Sequence, residues 1–156
     1  MVDWNKIWKD AYRANKQVWH DFFNNDERAQ RYDSSETWWI DGKKRTADLN
    51  PDPSWSVLDI GAGPGILAIP LAHRVRSVTA VEPSSPMIRC LENHLAEEQL
   101  RNVSIINSCW EDVSAEEIEA HDLVIASYSL LFEDIQDALL KMNHLAMKEV
   151  VLYWFA

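Results

Sequence analysis

The feature that most constrains this chain is a glycine-rich turn that directly follows a short apolar segment. Residues 56–65 read Ser-Val-Leu-Asp-Ile and then Gly-Ala-Gly-Pro-Gly. The valine, leucine and isoleucine are typical of a strand that a parallel sheet buries on both faces. Gly61, Gly63 and Gly65 allow positive φ angles and let backbone N–H groups approach a ligand closely. The segment therefore predicts a strand, a ligand-binding turn and a following helix.

The spacing of the glycines separates this turn from a dinucleotide site. Such a site has the pattern G-x-G-x-x-G, whereas here the third glycine comes one residue early. Asp59 precedes the first glycine by two residues; its charge would oppose a pyrophosphate and suit a ligand that carries an ammonium group. The segment resembles motif I of the class I S-adenosylmethionine (SAM) methyltransferases. That resemblance implies that Asp59, Gly61, Ala62, Gly63 and Gly65 contact SAM.

The rest of the chain alternates strands and helices, which predicts an α/β fold with a doubly wound, mostly parallel sheet of about five strands. The sequence indicates strands after residue 55 and at 78–81, 103–107, 122–126 and 149–155, in the spatial order 3-2-1-4-5. Residues 1–50 are predicted to form an N-terminal helical cap, and residues 51–156 the SAM-binding Rossmann-like core. In the cap, apolar residues recur every three or four positions from Trp4 to Phe23, which predicts a helix that packs on the domain.

Helix boundaries follow from local signals. The N-terminal cap is expected to contain a third helix, with Asp33 or Ser34 as its N-cap residue, and this helix is expected to end before Asn50-Pro51. Ser85 is expected to cap the helix after the second strand, and a last helix is expected over residues 133–146. Pro70 in the first crossover predicts a helix that kinks or begins late.

The second strand ends in an acidic residue, Glu82, about 20 positions after the glycine turn. A carboxylate there can accept hydrogen bonds from both ribose hydroxyls, although a solvated glutamate at a strand end is the simpler alternative. Glu82 fits motif II of the same family, and the resemblance adds Pro83 and Met87. Met87 would lie against the adenine or simply pack in the core.

The segment after the third strand departs from the family pattern. Cys109 stands where many relatives have an aspartate that accepts the adenine amino group, and a thiol is a poor acceptor. The resemblance implies that Glu111 or Asp112 accepts that group instead. Trp110 would flank the adenine ring, with its backbone N–H on a ring nitrogen.

Two further positions come from the resemblance. Ala29-Gln30-Arg31-Tyr32-Asp33 is similar to an A-x-x-Y-D element upstream of motif I, which makes Tyr32 a lid over the cofactor pocket. Ser127 would lie against the methionine part of SAM, with Tyr128 near the transferable methyl. No catalytic base is assigned; Tyr128, Glu133 and Asp33 are candidates by position alone.

Composition limits the partners of the protein. The formal net charge is −10, which disfavours nucleic acid as a substrate. Residues 43–45 form the only basic run, which we attribute to a solvated helix face. The two cysteines lack metal-ligand spacing and the histidines do not cluster, so no metal site is expected. Reduced cysteines and the lack of a signal or membrane-spanning segment predict a cytoplasmic protein.

These features predict a SAM-dependent methyltransferase that methylates a small-molecule or protein acceptor and leaves S-adenosylhomocysteine (SAH). A non-catalytic SAM-binding module is the first alternative, and a nicotinamide-dependent oxidoreductase is the second.

The predicted core is shorter than the family's usual seven strands. The fifth strand, at residues 150–155, would form an apolar edge without the charges or prolines that protect an edge. We therefore expect either residues beyond Ala156 in the natural protein or a partner on this edge, most simply in a homodimer. SAM binding should survive this truncation, whereas methyl transfer should be weak.

Overall fold

The computed structural model describes residues 2–154, which form a five-stranded parallel sheet with helices on both faces. The strands are Ser56–Ile60 (β1), Ser77–Val81 (β2), Val103–Ile106 (β3), His121–Ser127 (β4) and Ala146–Tyr153 (β5). Their order is β3-β2-β1-β4-β5, as the sequence predicts. The order reverses between β1 and β4, and the carboxyl ends of these two strands therefore border the crevice where ligands bind in open α/β sheets.

Six α-helices accompany the sheet within the described part of the chain. They are Trp4–Phe23 (α1), Asp26–Asp33 (α2), Glu36–Leu49 (α3), Ala68–Ala72 (α4), Ser85–Glu97 (α5) and Ile135–Leu145 (α6). No helix in residues 2–154 is long and apolar enough to cross a membrane.

The central strands are buried on both faces because their side chains alternate between two cores. Every residue of β1 is buried. Val57 packs in the core that includes α4, and Leu58 packs in the core that includes α6. This alternation explains why β1 is apolar at successive positions.

Several element boundaries differ from the sequence prediction. Ser84 rather than Ser85 caps α5, because its Oγ accepts a hydrogen bond from the Met87 N–H at 3.3 Å. The cap position of α3 is Ser35 rather than Asp33 or Ser34. Helix α6 begins at Ile135, where the Asp134 side chain provides the cap.

Pro70 is accommodated by a late helix start. It is the third residue of α4, and the N–H groups of a first helical turn have no intrahelical acceptor. The proline therefore costs no helical hydrogen bond.

Strand β5 begins three residues earlier than predicted, at Ala146. The predicted end at Phe155 lies outside the described residues. The earlier start adds Lys148 to the strand beside Glu149, and the Lys148 Nζ lies 2.7 Å from the Asp122 carboxylate. The prediction of an edge strand without charges is therefore wrong for its first half, while its second half is apolar.

Helix α1 has the predicted bounds but not the predicted packing. None of its residues is buried, and Trp4 is 73% exposed. The first half of the helix contacts the segment after β4 through Trp8 Nε1 to the Phe132 carbonyl (2.6 Å), Lys9 to Asp134 (2.5 Å) and Arg13 to Glu133 (2.6 Å). At its other end, the Phe23 carbonyl accepts from the Ser84 Oγ at 2.8 Å. The apolar stripe that was expected to face the domain therefore remains largely exposed.

Candidate functional site

The glycine turn places open space above the end of β1. Gly61, Gly63 and Gly65 have φ angles of 72°, 56° and 98°. A Cβ added to Gly63 would meet nothing within 4 Å, whereas a Cβ on Gly61 would lie 2.3 Å from the Ser129 Cβ. A Cβ on Gly65 would lie 2.6 Å from Leu91 on α5. Gly63 therefore faces open space, while Gly61 and Gly65 allow the turn to pack closely against Ser129 and α5.

Asp59 lies beneath this turn with an unsatisfied oxygen. Its side chain is 2% exposed, and Oδ2 has no hydrogen-bond partner. Burial, and then the nearby charge of Glu82, raise the pKa of Asp59 to about 7. A buried carboxylate in this state gains from a cationic or hydrogen-bond-donating ligand.

Glu82 at the end of β2 is held by backbone donors. Its Oε2 accepts from the Gly63 N–H and its Oε1 from the Ser84 N–H, each at 2.8 Å. Burial raises the pKa of Glu82, and these two hydrogen bonds oppose the shift. Each oxygen retains a second lone pair that could accept a ligand hydroxyl.

Arg45 on α3 is a site residue that sequence reasoning missed. Lys43 and Lys44 are exposed as expected, but Arg45 is only 8% exposed, so its assignment to a solvated face is wrong. Its guanidinium donates to the Ser127 Oγ. Its Nε lies 3.0 Å from the Asp41 carboxylate without the alignment of a hydrogen bond.

Helical spacing contains the signal for this position. Arg45 follows Trp38 by seven residues and Gly42 by three, so all three lie on one face of α3. A Cβ on Gly42 would lie 2.4 Å from the Ile66 side chain. That glycine lets α3 approach the glycine turn and brings Arg45 over the site.

A cavity of about 40 Å³ lies between the glycine turn, α3 and the end of β4. Seven of the predicted residues line it: Tyr32, Asp59, Gly61, Ala62, Gly63, Ser127 and Tyr128. Arg45 lines it as well.

The predicted adenine contacts lie outside this cavity. Met87 is buried against Ala29 and Cys90, and cap residues Phe23 and Tyr32 pack on this group. Pro83 is exposed at the end of β2.

Trp110 and Glu111 also point elsewhere. The Trp110 indole is buried in the core and donates to the Ala138 carbonyl at 3.2 Å. The Trp110 carbonyl accepts from Lys141 and from the Val113 N–H, which leaves the backbone N–H for a ligand. One oxygen of Glu111 accepts from the Glu133 N–H at 3.2 Å.

Comparison with known proteins connects this geometry to a family. The model of a methyltransferase domain matches residues 57–148. That match covers all of the site elements from β1 to β4. The chain belongs to the class I SAM methyltransferase family.

The relatives are longer than this chain. An uncharacterized protein of Haemophilus influenzae is 34% identical over 104 residues, which are 67% of this chain and 38% of that protein. A probable ribosomal RNA small subunit methyltransferase A of Methanosphaera stadtmanae is 31% identical over 77 residues, 46% of this chain and 28% of that protein. The methyltransferase therefore spans well under half of the curated relatives it matches.

Solved structures share the fold at low identity. A SAM-dependent methyltransferase assigned to Methanococcus maripaludis superposes with a TM-score of 0.69 at 21% identity, over 82% of this chain and 63% of that chain. The CcbJ methyltransferase of Streptomyces caelestis superposes with a TM-score of 0.71 at 23% identity, over 83% of this chain and 56% of that chain. Magnesium protoporphyrin IX methyltransferase of Synechocystis, solved with SAH, superposes with a TM-score of 0.70 at 18% identity, over 88% of this chain and 70% of that chain.

Proposed function

We propose that this methyltransferase domain binds SAM between the glycine turn and α3 and transfers its methyl group to a small-molecule or protein acceptor. The observation that carries the proposal is a pair of incompletely satisfied, opposite charges in one cavity. Asp59 has a buried oxygen without a partner, and Arg45 has a buried Nε without an aligned acceptor. Buried charges of this kind are retained where a ligand completes their partners.

The two charges fit the amino acid end of SAM. Its ammonium group would satisfy Asp59 and its carboxylate would satisfy Arg45. A nicotinamide dinucleotide has no such end, and its pyrophosphate would bring negative charge towards Asp59. The charge pattern therefore favours SAM over the oxidoreductase alternative.

The remaining contacts follow the strand ends. Glu82 offers its free lone pairs to the ribose hydroxyls, and Gly63 leaves space for the ligand backbone. Met87 and Pro83 remain the proposed adenine contacts, although neither lines the cavity. For Trp110 we retain only a backbone contact, because its indole is in the core.

Bound SAM supplies a methyl group that is already activated on a sulfonium. The chain's own part is to align the acceptor and to exclude water. Helices α2 and α3 cover the cavity with Tyr32 and Arg45, which suits them to this task. Their position supports the division of the protein into a cap and a cofactor-binding core.

A calorimetric titration tests the proposal. SAH should bind the parent protein and NADH should not. In the Gly63→Ala variant the added methyl enters open space, so the fold should persist. SAH affinity should fall at least about tenfold because the methyl occupies space that the ligand needs. The positive φ of this residue adds backbone strain, which should account for a smaller part of the change. Gly61→Ala is the matched control: its Cβ clashes with Ser129, so its melting temperature should fall more.

Two results would refute this assignment. One is NADH binding that is tighter than SAH binding to the parent. The other is unchanged SAH affinity in a folded Gly63→Ala protein. SAH binding without methyl transfer would instead support a non-catalytic module.

We also propose that β5 pairs with a second copy of the chain. It is the edge strand of the described sheet, and Leu152 on it is 40% exposed. The second half of the strand lacks charged residues, which leaves its backbone open to pairing.

A further inference from the structure

Four aromatic residues from separate segments cluster beside the cavity, and two of them, Tyr32 and Tyr128, line it. We call this group the aromatic corner: Tyr32, Trp38, Tyr128 and Tyr153. Tyr32 stacks on Trp38 at 5.3 Å between ring centroids, and Trp38 meets Tyr128 edge-on at 5.8 Å. Tyr128 has a φ of 55° and donates its backbone N–H to the Tyr153 carbonyl at 3.0 Å. A positive φ at a tyrosine is rare and marks a residue held in place by its surroundings.

The aromatic corner already holds a cation. The Arg45 guanidinium lies 4.9 Å from the Tyr128 ring centroid and 5.4 Å from that of Tyr153. Ring faces attract positive charge through their quadrupoles, most strongly where water is excluded. Asp41, 3.0 Å from the Arg45 Nε, offsets part of the guanidinium charge, and the proposed SAM carboxylate would offset more of it. The cation–π contacts of Arg45 therefore indicate that these rings attract positive charge.

We propose that the methyl acceptor is a neutral amine nitrogen that lies against the aromatic corner; this inference rests on the proposed function. The nitrogen lone pair forms a bond to the methyl carbon while the carbon–sulfur pair returns to sulfur. One positive charge thereby moves from sulfur to nitrogen, and the product ammonium loses a proton to water. Ring faces at the nitrogen stabilise the charge as it arrives.

Other acceptor classes fit this corner less well. A carboxylate acceptor would cancel the positive charge and gain nothing from the rings. A hydroxyl acceptor would need a base, and the ionisable side chains that line the cavity in residues 2–154 are Asp59, Arg45, Tyr32 and Tyr128. Burial raises the pKa of Tyr32, which opposes its ionisation. Asp59 lies beneath the glycine turn and is assigned to the cofactor ammonium.

Small probes of similar size test the acceptor class on protein saturated with SAH. Tetramethylammonium imitates the charged product, tert-butanol is its neutral counterpart, and acetate carries the opposite charge. Calorimetry should show about tenfold tighter binding of tetramethylammonium than of tert-butanol, with acetate weaker than both. Trp38→Leu should remove this preference. Trp38→Phe keeps a ring and should preserve it, as should Trp19→Leu on α1, which lies away from the cavity.

The outcomes separate the two proposals. If the parent fails to bind SAH, the proposed function falls, and the acceptor assignment falls with it. If SAH binds but acetate or tert-butanol equals tetramethylammonium, only the amine assignment is wrong. A preference that Trp38→Leu and Trp19→Leu retain equally would also overturn the role of the aromatic corner.

Discussion

Ligand binding in the cavity should depend on pH through Asp59, because burial and the nearby charge of Glu82 raise the pKa of its carboxyl to about 7. Near neutral pH the unliganded carboxyl is therefore about half protonated. An ammonium group beside it favours the ionised form and lowers its pKa. Binding should then release a proton, and SAH affinity should rise as pH increases from about 6 to 8.

Calorimetry of SAH binding in buffers of different ionisation enthalpy measures this proton release. Asp59→Asn is the control: its amide cannot titrate, so the released proton and the rise in affinity should both disappear. If the Asp59→Asn protein releases the same number of protons on SAH binding, a group other than Asp59 is their source. A pH-independent affinity in the parent would show that no ammonium reaches Asp59.

The burial of Arg45 could not be predicted from its local sequence. The glycine turn is recognisable because local backbone geometry sets its spacing, and Glu82 is recognisable because it is the acidic residue that ends the next strand along the chain. Arg45 belongs to a basic run, and composition alone assigns such a run to solvent. Only the approach of α3 to Ile66, which Gly42 permits, turns this one arginine inward.

At the scale of elements, strands were more predictable than the docking of the cap. The central strands are apolar at successive positions because both faces are buried, and this pattern is visible in sequence. The apolar stripe of α1 predicts that the segment is a helix, but it does not predict where that helix packs, since periodicity does not identify the surface that the stripe contacts. Trp110 illustrates the same limit, because a tryptophan beside a strand end can enter either the site or the core.

Helices α2 and α3 should become more protected when ligand binds. Tyr32 and Arg45 line the cavity from these helices, and a ligand that contacts both would oppose local opening. Hydrogen exchange in residues 20–45 should slow when SAH is added. The first four turns of α1 contain no buried residue, so they should exchange rapidly in both states and serve as the internal reference.

The Gly63→Ala protein provides the matched negative control for this experiment, since it should keep its fold without the ligand effect. Equal exchange in the parent with and without saturating SAH would remove the lid role of Tyr32. A slowing in residues 4–18 as large as that in 26–45 would indicate global stabilisation rather than closure of the cap.

For the whole molecule, the sheet edge at β5 is the main structural question that the fold raises. Ion pairing of Lys148 with Asp122 protects the start of the strand, whereas Leu152 near its far end is 40% exposed and Trp154, directly after it, is 50% exposed. A two-fold axis beside β5 would pair the strand with its own copy and cover both side chains.

We therefore expect a dimer at low micromolar concentration by light scattering. Leu152→Lys places a charge on the apolar half of the edge and should shift the protein to a monomer. Leu140→Lys is the matched control, because Leu140 is 60% exposed on α6 rather than on the edge. Dissociation by Leu140→Lys but not by Leu152→Lys would move the interface from the edge to α6. A parent that remains monomeric at tens of micromolar would show that a second copy does not cover β5. SAH binding would be unaffected, since the proposed cofactor residues lie in the cap and between β1 and the end of β4.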